Sequence, residues 1–244
     1  MSVPHFFAGA PEPGETVILD TEDAHHALRS LRLREGDRFT SSDGRGGVAT
    51  CRVVRATRLL VEGEVEERTV DPPPRPSVSV LLSAPKGERL GWAVQKLTEV
   101  GTDRIVVVEA SRSVRRWEGE RGERAAARLQ AVAREAAKQS RRRHLPQVQG
   151  PSPWADAVGE ALGRGRVVVL WERAERRLAQ VLPTERPDEV SVAVGPEGGI
   201  PDEDALAAGE RGALLANLGP QVLRTETAAV VGAALVLARY GRLG

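Results

Sequence analysis

Cysteine is almost missing from this sequence. Cys51 stands alone among 244 residues, so neither an internal disulfide framework nor a thiolate zinc site can be built. Aromatic residues make up only 3%, which leaves little ring surface for stacking on bases. Long apolar runs are absent as well. The longest, Ala228 to Ala238, is 11 residues with Gly232 counted, against about 20 needed to span a bilayer. No basic-then-apolar leader opens the chain, so a cytoplasmic protein of a reducing compartment, without a membrane partner, is expected. Lysine is scarce too: Lys86, Lys96 and Lys138 are the only three, and the remaining basic residues are arginines. Arginine forks suit bidentate contacts to phosphates and bases.

What is present is ordinary in bulk. With 41% hydrophobic and 28% charged residues, collagen-like, disordered and coiled-coil classes are excluded. A net charge of +1 conceals an uneven distribution. Residues 1–76 carry 10 Lys and Arg against 13 Asp and Glu, whereas Arg112–Arg143 alone holds 11 basic and 4 acidic residues. That stretch is either a nucleic-acid surface or a solvated helix face. Adjacent His25 and His26 rarely aim at one ion and have no carboxylate or cysteine partners at ligand spacing, so no metal site is expected.

Four prolines in the six residues Asp71–Pro76 mark a stiff connection and set the expected boundary: a first domain over 1–71, a linker over 72–76 and a second domain over 77–244. Before it, short strands are predicted at Thr16–Leu19, Arg38–Ser41, Gly47–Ala56 and Leu59–Val65. A hairpin is expected through Ser42–Gly47, and one helix over Asp23–Leu31 with a Thr21 or Asp23 cap. This is a small β-barrel or β-rich module. After it, buried strands at Val78–Leu82, Ile105–Val108, Val167–Leu170, Val190–Val194 and Ala213–Leu218 alternate with helices. These are expected at Glu88–Val100, Arg121–Ser140, Trp154–Leu162, Pro201–Ala208 and Thr225–Tyr240. Strand–helix alternation gives an α/β fold, a parallel sheet with helices on both faces.

Two glycine loops follow the last two strands, where open α/β sheets bind ligands. The first is Val194-Gly195-Pro196-Glu197-Gly198-Gly199-Ile200-Pro201. The acidic helix start that follows, Asp202-Glu203-Asp204, would repel a phosphate. The loop also lacks P-loop chemistry and dinucleotide spacing. The second is Asn217-Leu218-Gly219-Pro220-Gln221-Val222-Leu223-Arg224-Thr225-Glu226-Thr227. It suits an ordinary capped terminal helix, with Thr225 as cap. The echo of Gly-Pro at two adjacent strand ends also suits a pocket of backbone groups for a neutral or zwitterionic ligand.

Together these two loops closely resemble the ribosomal RNA small subunit methyltransferase E family, of the knotted SPOUT class. The resemblance extends to Lys86-Gly87-Glu88-Arg89, Gln95–Gly101, Arg112-Ser113-Val114 and Glu135–Ser140. His25–Asp37 resembles the family's PUA-like RNA-binding module. The resemblance implies a SPOUT-type trefoil-knotted sheet behind a small PUA-like β-barrel. It implies a homodimer that transfers a methyl group from S-adenosyl-L-methionine to N3 of a uridine (U1498 in the standard rRNA numbering) of 16S rRNA in the small ribosomal subunit. Implied cofactor contacts are Leu170, Trp171, Glu172, Val194, Gly195, Pro196, Glu197, Gly198, Gly199, Leu218, Gly219, Leu223, Arg224, Thr225 and Thr227. No metal is required.

Uridine N3 must lose a proton before it can attack a methyl group, so a base or a charge-stabilising cation is needed. Arg224 is the candidate cation, and Glu226 or Glu197 the candidate base. Arg32, Arg112 and Arg142 are candidate RNA contacts. Three residues depart from the family pattern: His5 and Gln221 stand where arginine is usual, and Arg141 where glycine is common. Alternative readings are methylation of another RNA such as tRNA, a non-catalytic RNA-binding assembly factor, and, for the fold, a classical Rossmann methyltransferase.

Overall fold

The computed structural model describes residues 3–57, 59–85, 89–109 and 120–244, with the backbone alone at 120 and 121. The chain divides into two units, one of Met1–Pro73 with Ala137–Leu145, the other of Pro74–Ala136 with Pro146–Gly244. The chain from Ala137 to Leu145 belongs with the first unit, for reasons visible in its side chains.

In the first unit, β1 (His5–Phe6), β2 (Thr16–Leu19), β3 (Arg38–Ser42), β4 (Gly47–Thr57) and β5 (Leu60–Val70) form one sheet in the order β1-β3-β4-β5-β2. Period-two alternation puts Val17, Leu19, Phe39, Ala49, Cys51, Val53, Val61 and Val65 inside together, as a half-buried antiparallel sheet requires. The β3–β4 hairpin closes where Asp43 Oδ1 accepts from the amides of Arg45, at 2.7 Å, and Gly47, at 3.0 Å. Helix α1 (Thr21–Arg29) covers the sheet through Ala24 and Ala27. Its cap is Asp20, which accepts from the Asp23 amide, and not Thr21 or Asp23 as expected. Asp23 turns inward instead to meet Lys138 Nζ at 2.5 Å. The same segment supplies the Arg142 carbonyl to His5 Nε2 and the Arg143 carbonyl to Ser42 Oγ.

In the second unit, β6 (Ser77–Ser83), β7 (Arg104–Glu109), β8 (Gln147–Pro153), β9 (Arg166–Leu170), β10 (Glu189–Val194) and β11 (Leu214–Ala216) make a parallel sheet in the order β11-β9-β10-β6-β7-β8. Its strands are nearly continuous apolar runs because both faces are covered. Val80, Leu82, Val168, Leu170, Val192 and Val194 face α2 (Arg89–Val100), α3 (Glu120–Gln139), α5 (Leu178–Val181) and α7 (Thr225–Arg239). Leu81, Val106, Val108, Val167, Val169 and Ala193 face α4 (Trp154–Arg164) and α6 (Asp202–Glu210). Three elements were not foreseen: β1, only two residues long; β8, whose run Gln-Val-Gln-Gly-Pro-Ser-Pro has one large apolar residue; and the four-residue α5. Among the described residues no helix is long and apolar enough to cross a membrane.

Candidate cofactor and active site

Strands β11, β9 and β10 are neighbours whose carboxyl ends coincide: Ala216 and Val194 both stand opposite Leu170. The chain leaves the sheet there three times, and the three loops emerge side by side. The loop after β9 is tied to the loop after β11. Trp171 N–H donates to the Ala216 carbonyl at 2.8 Å, the Leu178 amide to the Asn217 carbonyl at 2.9 Å, and Asn217 Nδ2 to the Ala174 carbonyl at 2.6 Å. Asn217 Oδ1 then accepts from the Gly219 amide at 3.0 Å, fixing the turn that precedes α7.

The loop after β10 folds back on itself. A Cβ on Gly195 would run into Ile200 Cγ1, so only glycine lets Ile200 close over the strand end. Gly199 takes φ of +78°, with Glu172 Oε1 beside it, whereas Gly198 faces open space. Thr225 anchors this loop to α7: its buried Oγ1 donates to the Gly195 carbonyl at 3.0 Å. This corrects the expected role of Thr225. The N-cap of α7 is Arg224, with no side-chain cap bond, and the threonine hydroxyl holds a loop. Behind it Gly232 lets α7 lie against the sheet, since a Cβ there would sit 2.9 Å from Leu170 Cδ1 and 3.1 Å from Val192 Cγ1.

The expected cofactor residues are thus brought together. Leu170 and Val194 are buried at the strand ends; Trp171, Pro196, Leu218, Gly219, Leu223 and Thr227 are half-buried around them; Glu172, Glu197 and Gly198 are exposed. The two candidate bases differ. Glu226, in the first turn of α7, is buried, and its Oε2 has no hydrogen-bond partner among the described residues. Glu197 lies on the exposed loop. Arg224 is exposed at the start of α7.

Sequence reasoning missed Arg89, the first residue of α2, except as one letter of a motif. Its Nε lies 3.7 Å from Glu226 Oε1 and its Nη1 3.9 Å from Glu197 Oε1. One signal was available: a cation at a helix N-terminus opposes the helix dipole, and so needs acidic company. Of the candidate RNA contacts, Arg32 and Arg142 lie in the first unit, Arg32 exposed and Arg142 half-buried; Arg112 lies outside the described residues. His25 and His26 are exposed on α1. Arg32 and Arg141 are the two non-glycine residues with positive φ among the described residues, at +58° and +54°.

By family comparison the chain is an RNA methyltransferase of two modules. The model of an RNA methyltransferase domain matches residues 72–237, and that of an RNA methyltransferase PUA domain matches residues 19–66. The ribosomal RNA small subunit methyltransferase E of Mycobacterium tuberculosis is 37% identical, over 91% of this chain and 86% of that protein. Its Bacillus subtilis counterpart is 28% identical over 89% and 88%. The crystal structure of the Neisseria gonorrhoeae protein of that name, bound to S-adenosyl methionine, superposes with a TM-score of 0.84 at 25% identity, covering 97% of this chain and 98% of that one. This chain belongs to the ribosomal RNA small subunit methyltransferase E family.

Proposed function

We propose that the chain methylates N3 of a uridine in 16S rRNA with S-adenosyl-L-methionine as donor. The observation that carries this is the convergence of three tied loops at in-register strand ends, with a buried, unpaired carboxylate oxygen of Glu226 beside them. The residues fit the donor. Leu170, Val194, Leu218 and Leu223 offer apolar surface, the glycine loop offers backbone polar groups, and the Glu172 carboxylate suits hydroxyl or ammonium donors. The acidic first turn of α6, Asp202-Glu203-Asp204, disfavours a phosphate-bearing cofactor. When bound, S-adenosylmethionine supplies an electrophilic methyl group on a sulfonium.

The chain's own task is to hold the uracil and remove its N3 proton. Glu226 Oε2 accepts that proton, leaving the N3 electron pair free to form the new bond. Arg224 faces the negative charge that develops on the uracil oxygens. Arg32, Arg112 and Arg142 grip phosphates of a splayed RNA strand, and the active form is a cytoplasmic homodimer. The test is methyl transfer from labelled S-adenosylmethionine to small subunits lacking the modification, followed by nucleoside analysis. Label in 3-methyluridine of 16S rRNA supports the reading. Label only in tRNA redirects it, and binding of small subunits without transfer reduces the chain to an assembly factor.

A further inference from the structure

Helices α2 and α7 run side by side in the same direction. Arg89 meets Glu226 at their N-terminal ends, while at the other end of α2 a Cβ on Gly101 would sit 3.8 Å from Leu237 Cδ1 of α7, and the Gly101 carbonyl accepts from Arg242. Two helix starts therefore converge on the loop after β10, and among the described residues the Arg89 guanidinium stands between two carboxylates there. The other charges on elements packed against α7 are engaged elsewhere. Lys96 pairs with Glu99 at 2.8 Å, and Glu189 pairs with Arg164 and accepts from Ser79. Among the described residues, Arg89 is the cation paired with Glu226 from a neighbouring element, and Glu197 reaches the same guanidinium.

Resting on the reading of Glu226 as proton acceptor, we propose that Arg89 is its positioning residue. The guanidinium faces Oε1 of Glu226 on one side, which leaves Oε2 open toward the loop cluster, and Glu197 draws part of the same cation away. A buried carboxylate oxygen with no hydrogen bond is costly. It persists here because its other oxygen faces a cation and its helix presents the N-terminal end of a dipole. In the proton transfer the uracil N3–H bond breaks and an O–H bond forms at Glu226 Oε2. The proton then leaves to solvent with product release. Arg89 neither gives nor takes a proton, and it touches no reacting atom.

The two flanking charges must act in opposite senses. An opposite charge within 4–6 Å stabilises an ionised carboxylate, and a like charge destabilises it. Arg89→Gln therefore moves the acid limb of the kcat–pH profile upward, a readout that a merely structural role would leave in place. Glu197→Gln moves it downward. Arg89→Lys restores most of the limb, since it keeps the charge. Affinity for S-adenosylmethionine, measured calorimetrically without RNA, stays within about two-fold in both Arg89 variants, because Arg89 acts on the acceptor base and not on the donor.

Glu226→Gln separates the inference from the reading beneath it. If that variant keeps turnover and its acid limb, Glu226 is no base and the role of Arg89 falls with it. If Glu226→Gln abolishes turnover while Arg89→Gln and Glu197→Gln leave the limb in place, the base stands and the positioning role of Arg89 is overturned. Limbs displaced in opposite directions, with near-unchanged donor affinity, are the result expected.

Discussion

Replacing Thr225 by valine removes one hydroxyl and almost no volume, so its consequences trace to a single bond. The Oγ1 of Thr225 donates to the Gly195 carbonyl at 3.0 Å, and both residues are buried. Valine leaves that carbonyl without its donor, at a cost of about 1–3 kcal/mol. Thr and Val have similar helix propensities, so that contribution cancels. For a chain of this size about 2–4 °C is lost per kcal/mol, giving a melting temperature roughly 2–12 °C lower. If the bond fixes the glycine loop in its binding form, the same energy appears in the affinity for S-adenosylmethionine, as a loss of about 5- to 150-fold. Thr225→Ser keeps the donor and serves as the control, costing only a methyl group. Thermal unfolding and calorimetric titration of both variants decide the matter. A valine variant that melts and binds like the parent refutes the reasoning, because the hydroxyl would then organise nothing. A valine variant that melts lower but binds normally places the bond in the fold and outside the site.

Four further outcomes are expected. Lys138→Met strands the buried Asp23 carboxylate and destabilises the first unit by about 3–5 kcal/mol; adding Asp23→Asn recovers part of the loss in a double-mutant cycle. Burial holds His5 below its usual 6.5, helped by the Arg141 and Arg143 cations and opposed by the bond to the Arg142 carbonyl. The unfolded chain therefore takes up a proton below about pH 6.5 that the folded chain refuses. Stability falls as pH drops through that range, and His5→Gln flattens the dependence of melting temperature on pH. Arg141→Gly relieves a left-handed arginine at φ +54° and stabilises by about 0.5–1 kcal/mol, while filter binding shows weaker affinity for small-subunit RNA. Burial, with Glu66 adding to it, pushes the Cys51 thiol up to about 11, so alkylation of the folded protein at neutral pH is slow and accelerates only on unfolding.

Strong periodicity made most of the fold legible. The runs around Val80, Ile105, Val168 and Val192 needed burial on both faces, and each became an inner strand of the parallel sheet. The misses share a cause, which is that their stabilisation is non-local. β8 holds little apolar side chain and exists because β7 offers it a ladder from Arg104 to Glu109. Strand β1 is likewise held by β3 through two residues. The segment Ala137–Leu145 reads as the end of a basic helix and the turn after it. Nothing local announces that Lys138 is committed to Asp23, or that the Arg142 and Arg143 carbonyls serve His5 and Ser42. Partners more than a hundred residues away leave no periodic trace.

The site was legible where backbone conformation demanded a residue type and silent where charge geometry did the work. Gly195 and Gly199 could be read because close approach and positive φ select glycine. Thr225 was noticed for a sound reason and given the wrong task, since the same hydroxyl that caps a helix can equally hold a carbonyl in a neighbouring loop. Between Glu197 and Glu226 the sequence offered no choice; both are acids near a glycine loop or a helix start. What separates them is that one lies exposed and the other is buried with an oxygen unclaimed, and that Arg89 stands within 4.0 Å of both. Burial raises the cost of ionising a carboxylate, and a single cation lowers it. If Glu226 is the proton acceptor proposed above, the Arg89 guanidinium is the described cation placed to hold it.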